Sequence, residues 1–390
     1  MTRPPSRGLV LKRRGCSILF PLITVLILLR ALSEAGVGPY WVAQWVRTSS
    51  VFPLRPNKIA VSTTDPEQQS PLPYASSRGT ILKSMDEGEH WGEANAGLPD
   101  SYIRALALDP TNPTVLYAGT DDAGVFKSSD GGEHWAAYSE GLLDSRIHTL
   151  VIDPRSSRTL YAGTYRGGVF RSRDGGEHWR AANSGLLAAT INTLAIDSLA
   201  AQTLYVGTDQ GVFKSLDEGE HWGEANTGLP DSYIRALALD PTNPTVLYAG
   251  TNNAGVFKSV DGGGYWKAAR TGLLATTINT LVIDPLTTQT LYAGTDQGVF
   301  KSLDGGEQWR ATNAGLLHPF VYALCLSPAS SEGIYVGTYN RIFKSLDGAR
   351  SWRASKSSFG DFFVRSLIVD SKSPQTLYIA IAKEQLIKAR

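Results

Sequence analysis

An eight-residue pattern, Ser-x-Asp-x-Gly-x-x-Trp, recurs along most of this 390-residue chain. Six copies are complete, and a seventh carries Ala349 where the others have glycine. Consecutive tryptophans lie 43 or 44 residues apart, a period that indicates an array of one supersecondary unit. The seven copies span residues 84–91, 128–135, 172–179, 215–222, 259–266, 302–309 and 345–352.

Each copy predicts a tight turn between two strands, called an Asp turn below. An Asp side chain accepts hydrogen bonds from nearby backbone N–H groups, and the following glycines supply the positive φ that a hairpin needs. The Trp then begins the next strand and buries a broad apolar ring. We expect the Asp and Trp side chains to be structural: Asp86, Trp91, Asp130, Trp135, Asp174, Trp179, Asp217, Trp222, Asp261, Trp266, Asp304, Trp309, Asp347 and Trp352.

The residues between the turns predict four short strands in each unit. In residues 278–309, strands are expected at 278–284, 290–295, 298–302 and from Trp309, each bounded by turn residues. In a strand such as 103–108, small Ala105 and Ala107 alternate with large Leu106 and Leu108, so that stacked sheets can interdigitate. The sequence therefore predicts an all-β propeller of four-stranded antiparallel blades over residues 42–390.

The two ends of the chain predict eight blades, closed by pairing of the N- and C-terminal strands. Three strands follow Trp352, at 364–369, 376–381 and 386–389, and the segment around Trp45 resembles a fourth strand. A seven-bladed ring is the alternative.

Composition narrows the possible functions. The net charge is +1, and the chain after residue 35 carries about −4, which gives no basic footprint for nucleic acid. Two cysteines leave no disulfide framework. No metal-ligand spacing, calcium loop or nucleotide loop is present, so no metal or cofactor is expected, and neither is an oligomer.

Residues 1–35 are typical of a targeting segment. Five basic residues precede an apolar run from Ile18 to Leu29, and a small-residue cleavage site follows at 33–35. The run is short for a membrane span. We therefore expect export by a signal peptide, with an N-terminal membrane anchor as the alternative, and a location outside the cytoplasm.

Strand order predicts that all Asp turns lie on one face and that varied polar loops lie on the other, around the channel mouth. Loops on a rigid frame commonly carry binding sites. The candidate binding residues precede the inner strands or lie in these loops: Asn57, Arg104, His148, Asn192, Arg235, Asn279, Tyr322, Arg365, Asp121, Asp209 and Asp296.

The repeated Ser-x-Asp-x-Gly-x-x-Trp turns resemble the Asp-box, or bacterial neuraminidase repeat. That family includes sialidases, xyloglucan-cleaving glycoside hydrolases, sortilin-type receptors and photosystem II assembly and stability factors. The chain looks most like the assembly-factor group, because of its single-domain length, its leader and its Gly-Val-Phe-Lys-Ser motif (residues 298–302). The resemblance implies a non-enzymatic scaffold that binds a protein partner, possibly one associated with a membrane, or a glycan.

A glycoside hydrolase or carbohydrate-binding module is the alternative function. Such an enzyme needs two suitably spaced carboxylates or, in sialidases, a tyrosine nucleophile. The near-copies 83–128 and 214–259 carry Asp121-Asp122 and Asn252-Asn253 at one position, so the fold does not need those acids. The Arg-Ile-Pro motif typical of sialidases is absent, and no catalytic residue is assigned.

Overall fold

A computed structural model describes residues 79–383 except 187–189, 231–232 and 329. Within these ranges every regular element is a β-strand, and no helix is present that is long and apolar enough to cross a bilayer. The predicted all-β architecture is confirmed. The targeting segment, Asn57 and the strands expected around Trp45 and at 386–389 lie outside the described residues.

In the part of the chain that the structure describes, twenty-eight strands form seven four-stranded antiparallel sheets, the blades. The chain begins with β1 (Gly79–Ser84) and β2 (Gly92–Glu93). Blade 1 contains β3 (Ile103–Leu108), β4 (Leu116–Thr120), β5 (Val125–Ser128) and β6 (Ala136–Ala137). Blade 2 contains β7 (Ile147–Asp153), β8 (Ser156–Thr164), β9 (Val169–Ser172) and β10 (Arg180–Ala181). Blade 3 contains β11 (Ile191–Ile196), β12 (Leu204–Thr208), β13 (Gly211–Ser215) and β14 (Gly223–Glu224).

The remaining blades repeat this order. Blade 4 contains β15 (Ile234–Leu239), β16 (Leu247–Thr251), β17 (Val256–Ser259) and β18 (Lys267–Ala268). Blade 5 contains β19 (Ile278–Ile283), β20 (Leu291–Thr295), β21 (Gly298–Ser302) and β22 (Arg310–Ala311). Blade 6 contains β23 (Ala323–Leu326), β24 (Ile334–Gly337), β25 (Ile342–Ser345) and β26 (Arg353–Ala354). The chain continues with β27 (Phe362–Val369) and β28 (Leu377–Lys383).

The ring of described residues has seven blades, so the prediction of eight was wrong and the alternative of seven is confirmed. Strands β27 and β28 supply the inner half of blade 7, and β1 and β2 supply its outer half. Leu82 of β1 lies opposite Ile379 of β28 in the antiparallel ladder. Each Asp turn joins the third and fourth strands of one blade, so seven turns correspond to seven blades. The first turn, at 84–91, joins β1 to β2, and the first two strands of that blade are β27 and β28. The ring is closed by the pairing of β1 with β28, whereas the predicted pairing of the segment around Trp45 with 386–389 lies outside the described residues.

The hydrophobic core lies between the blades, in seven clusters that each join two neighbours. The alternation predicted for β3 is confirmed, since Leu106 packs toward Ile81 and Ala380 of blade 7 while Ala105 packs toward Leu150 of blade 2. Small side chains on one face let the large side chains of the next blade approach.

The Asp turns have one geometry throughout. At the turn of blade 1, Ser128 Oγ donates to Asp130 Oδ1 over 2.8 Å, and the backbone N–H of His134 donates to the same carboxylate oxygen over 2.9 Å. The N–H of Gly132 donates to Ser128 Oγ. The carboxylate therefore closes the turn by accepting a hydrogen bond from the residue four positions ahead. Ala349 adopts φ 69° and keeps the matching bond to Ser345, so the seventh turn forms without its glycine.

Candidate functional site

The antiparallel order places the connections of the blades on two opposite faces. On one, the Asp-turn face, the N–H of Gly131 in a turn donates to Thr114 O in the loop between the first two strands of its blade. On the other, the mouth face, the N–H of Asp121 donates to Tyr102 O and the N–H of Gly124 donates to Ser145 O. The predicted division of the loops follows from this topology, and those candidate binding residues that the structure describes lie on the mouth face.

Six of the candidate binding residues are β-bulge residues at the start of an inner strand. In blade 1, Ile103 pairs with Thr120 and Ala105 with Gly119, so that Arg104 is left out of the ladder. A bulge redirects a side chain that a regular strand would hold on one sheet face. The bulge residues are Arg104, His148, Asn192, Arg235, Asn279 and Arg365. Tyr322 takes the corresponding place in blade 6, one residue before β23.

Three of the bulge residues join their blade to the next one. Asn192 Nδ2 donates to Ile234 O over 3.0 Å, and Asn279 Nδ2 donates to Val321 O over the same distance. His148 has a hydrogen bond with the backbone of Ile191 of the next blade. Burial, together with the charge of Arg104, lowers the pKa of His148 to about 4, so this ring is neutral at pH 7. These three side chains link neighbouring blades of the propeller and therefore have less freedom to bind a ligand.

The side chains of Arg104 and Arg235 instead remain exposed, and each is held by a hydrogen bond to a neighbouring loop residue. Arg104 Nε donates to Asp121 Oδ1 over 2.6 Å, and Arg235 Nε donates to Asn252 Oδ1 over the same distance. The near-copies thus hold the guanidinium in one way, with either a carboxylate or an amide. Arg235 Nη1 also donates to Asn279 Oδ1 over 3.1 Å. Because Nε is used for positioning, most of the terminal N–H groups of each guanidinium remain as additional donors.

Aromatic side chains line the mouth between blades 6 and 7. The rings of Tyr322 and Tyr339 each lie 5.1 Å from that of Phe363, and Phe320 stacks on Tyr322 at 6.4 Å. The Arg365 guanidinium lies 5.3 Å from the Phe363 ring and 5.8 Å from that of Tyr322. Such stacking holds a cation against an apolar wall. Phe320 and Phe363 were not among the candidates predicted from the sequence.

A small cavity of about 100 Å³ lies at the closure of the ring, between blades 7 and 1. Arg104, Asp121, Arg365 and Lys383 supply its charged lining, and Tyr102 supplies an aromatic side. Burial and the nearby charge of Arg104 lower the pKa of Arg365. Three cations face one carboxylate there, so an anionic group is favoured in this corner of the mouth.

The other acidic candidates are separated from this corner. Asp209 Oδ1 accepts a hydrogen bond from the N–H of Thr190 over 3.2 Å. Asp296 Oδ1 is buried and has no hydrogen-bond partner among the described residues. Burial raises the pKa of Asp296. The two aspartates therefore differ: Asp209 accepts a backbone hydrogen bond, whereas Asp296 has a buried oxygen with no partner among the described residues.

The described residues bring one set of possible metal ligands together, on the Asp-turn face. Ligand atoms of Asp174, Glu177 and His178 lie within 4.8 Å of one another. All three belong to one turn, and His178 Nδ1 already lies 2.7 Å from Asp174 Oδ2 in a hydrogen bond. This local set does not join histidines of different blades.

Comparison with known proteins identifies solved structures that have a similar fold. No family model matches the chain, and no curated protein is similar to it in sequence. A solved structure of YCF48 bound to D1 peptide is similar over 82% of this chain and 99% of its own, with a TM-score of 0.57 and 13% identity. YCF48 from Cyanidioschyzon merolae is similar over 77% and 98%, with a TM-score of 0.54 and 14% identity.

A GH74 enzyme of Niastella koreensis is also similar, over 75% of this chain, with a TM-score of 0.50 and 18% identity. The match spans only 57% of that enzyme. At such identities the likeness shows the β-propeller fold alone. The same fold thus occurs in a peptide-bound protein and in a GH74 enzyme. Function must therefore be argued from the residues of the site and not from the fold.

Proposed function

We propose that the protein is a non-enzymatic binding scaffold that holds a segment of a protein partner at the channel mouth. The observation that carries the proposal is the matched pair Arg104–Asp121 and Arg235–Asn252, each joined at 2.6 Å. Two guanidinium groups are oriented before any partner arrives, which lowers the entropic cost of binding. Arg is also among the residues that most often dominate protein interfaces.

The aromatic wall supports a peptide rather than a small ion as the ligand. Tyr322, Tyr339 and Phe363 offer apolar area with polar tips beside the Arg365 guanidinium. This combination suits a segment with acidic and apolar side chains. The structural likeness to YCF48 bound to D1 peptide supports the same class of ligand, and the resemblance of the seven turns to the Asp-box agrees with it.

The proposed location is outside the cytoplasm, with the protein exported or tethered by residues 1–35. The basic stretch and the apolar run from Ile18 to Leu29 support this location. A partner associated with the outer side of a membrane would then be within reach.

Affinity capture from the native membrane fraction tests the mouth as the binding site. Arg104→Ala combined with Arg235→Ala should lower partner recovery by about tenfold or more, since two oriented guanidinium groups are lost. Arg310→Ala combined with Arg353→Ala is the matched control, because both of those arginines lie on outer strands. Undiminished recovery with the mouth variant would reject the proposal.

A glycoside hydrolase is the second candidate, and one observation favours it. Asp296 has an unpartnered carboxylate oxygen and a raised pKa, as a general acid requires. Incubation with xyloglucan and with sialosides separates the two functions. The scaffold predicts no hydrolysis, whereas turnover that Asp296→Asn abolishes would establish the enzyme.

A further inference from the structure

The second residue of each Asp turn projects from the Asp-turn face, opposite the mouth. In five successive blades, from blade 3 to blade 7, this residue is large and apolar, and its side chain is 63 to 70% exposed. These residues form what we call the turn arc: Leu216, Val260, Leu303, Leu346 and Met85.

The fold does not require apolar side chains at this position. Blade 1 carries Ser129 there and blade 2 carries Arg173, and both turns keep the same hydrogen bonds as the others. Single exposed apolar residues are ordinary on protein surfaces. Five at one structural position in consecutive blades form a pattern that folding leaves unexplained.

A groove of about 510 Å³ lies beside the arc, between the Asp turns of blades 3 and 4. Leu216 and Trp222 supply apolar lining, and Asp217, Glu224 and Asp261 supply carboxylates. Within the described chain neither Glu224 nor Asp261 forms an ion pair. Lys214 places one cation in the groove, where its Nζ donates to Gly262 O over 2.8 Å, against the three carboxylates of Asp217, Glu224 and Asp261. The groove therefore presents negative charge beside an apolar edge.

A comparable groove between blades 6 and 7 differs in charge. It measures about 280 Å³, and two of its three acids form ion pairs: Glu87 with Lys344, and Glu89 with Lys356 at 3.5 Å. The third acid, Asp347, shares the lining with a further cation, Arg353. The uncompensated charge is thus a property of the groove at blades 3 and 4 and not of every gap between turns.

We propose that the groove between blades 3 and 4 binds a protein segment in which lysine or arginine alternates with large apolar residues. The cation would lie among Asp217, Glu224 and Asp261, while its apolar neighbours pack on Leu216 and, further along the arc, on Val260. An anionic lipid surface is disfavoured as the occupant, since the same carboxylates would repel it. The face lies opposite the mouth, so this site is independent of the proposed peptide site.

Fluorescence anisotropy with the full chain tests the proposal. The probes are labelled peptides of alternating leucine and lysine, leucine and glutamate, or serine and lysine. The leucine–lysine peptide should bind most tightly, because only it matches both the charge and the apolar edge. Leu216→Ser with Glu224→Ala should weaken its binding by about tenfold, and Glu224→Gln alone should weaken it and reduce its salt dependence.

Blade 7 provides the control, because its turn is nearly identical in sequence. Met85→Ser with Glu93→Ala makes the same exchange there and should leave binding unchanged, as should Arg104→Ala with Arg235→Ala at the mouth. Blade 1 carries Ser129 and Ala137 at the positions changed in blade 3, so the substitutions suit the fold. The proposal is overturned if the blade 3 variant binds the leucine–lysine peptide as the wild type does. Equal binding of the serine–lysine peptide, or binding of phosphatidylserine vesicles through this groove, also overturns it.

Discussion

The indole Nε1 of Trp135 in blade 1 donates a hydrogen bond to the carbonyl oxygen of Ala94 in blade 7, over 2.8 Å. The same bond to the preceding blade recurs in five further turns, from Trp179, Trp222, Trp266, Trp309 and Trp352. Each Asp turn therefore closes a hairpin and also links two blades. The Trp of the repeat is a connection between units as well as a core residue.

Trp135→Phe should destabilise the ring by about 1–2 kcal/mol, because it leaves the carbonyl of Ala94 without its donor in a buried place. Trp91→Phe is the comparison: Trp91 Nε1 donates only within its own turn, to Gly88 O, and its ring packs on Phe359. Urea unfolding of the two variants measures the difference. Equal losses would show that the link between blades contributes nothing.

The hydroxyl of Tyr161 should be dispensable, although the residue is fully buried. The equivalent Tyr117 OH donates to Gly175 O over 3.0 Å, whereas Tyr161 OH has no hydrogen-bond partner among the described residues. Tyr161→Phe should be neutral or stabilising, and Tyr117→Phe should cost about 1 kcal/mol. Calorimetric melting of both variants checks this, and a loss at Tyr161 as large as at Tyr117 would contradict it.

The protein should lose stability in acid. The backbone N–H of His221 lowers the pKa of Asp217 to about 2, and the pKa values of the other Asp-turn carboxylates are lowered as well. A lowered folded-state pKa gives stability that is fully present above about pH 4 and is lost as the pH falls toward 2. Unfolding free energy measured by urea across that window should fall with pH. Asp217→Asn, which keeps an acceptor oxygen, should fall less steeply; an unchanged slope would contradict the assignment.

The N-terminal strand of the described chain should be as protected as any interior strand. Strand β1 lies between β2 and β28, and its amides enter the ladder of blade 7. Hydrogen–deuterium exchange at 79–84 should be as slow as at 211–215, the third strand of blade 3. Fast exchange confined to 79–84 would show that blade 7 is not closed in this way.

The repeat made most of the fold predictable, because the Asp turn dictates its own hydrogen bonds and the Ala105–Leu106 alternation dictates stacking. The blade count was less accessible. Strands near the chain ends have similar composition, and only the observed pairing shows that β1 lies beside β28. The bulges were also hidden, since Ile103-Arg104-Ala105-Leu106 reads as regular alternation. Position in the repeat predicted which residues lie around the channel mouth. It did not predict that Asn192 joins two blades whereas Arg104 remains exposed.

Photo-cross-linking at the mouth tests the central claim most directly. Benzoylphenylalanine replaces Tyr322 in the full chain within its native cell, and Ser129 on the Asp-turn face serves as the control position. We expect a covalent adduct with one protein partner from position 322, none from 129, and loss of the adduct when Arg104 and Arg235 are both alanine. An adduct that persists without those two arginines, or no protein adduct at position 322, would contradict it.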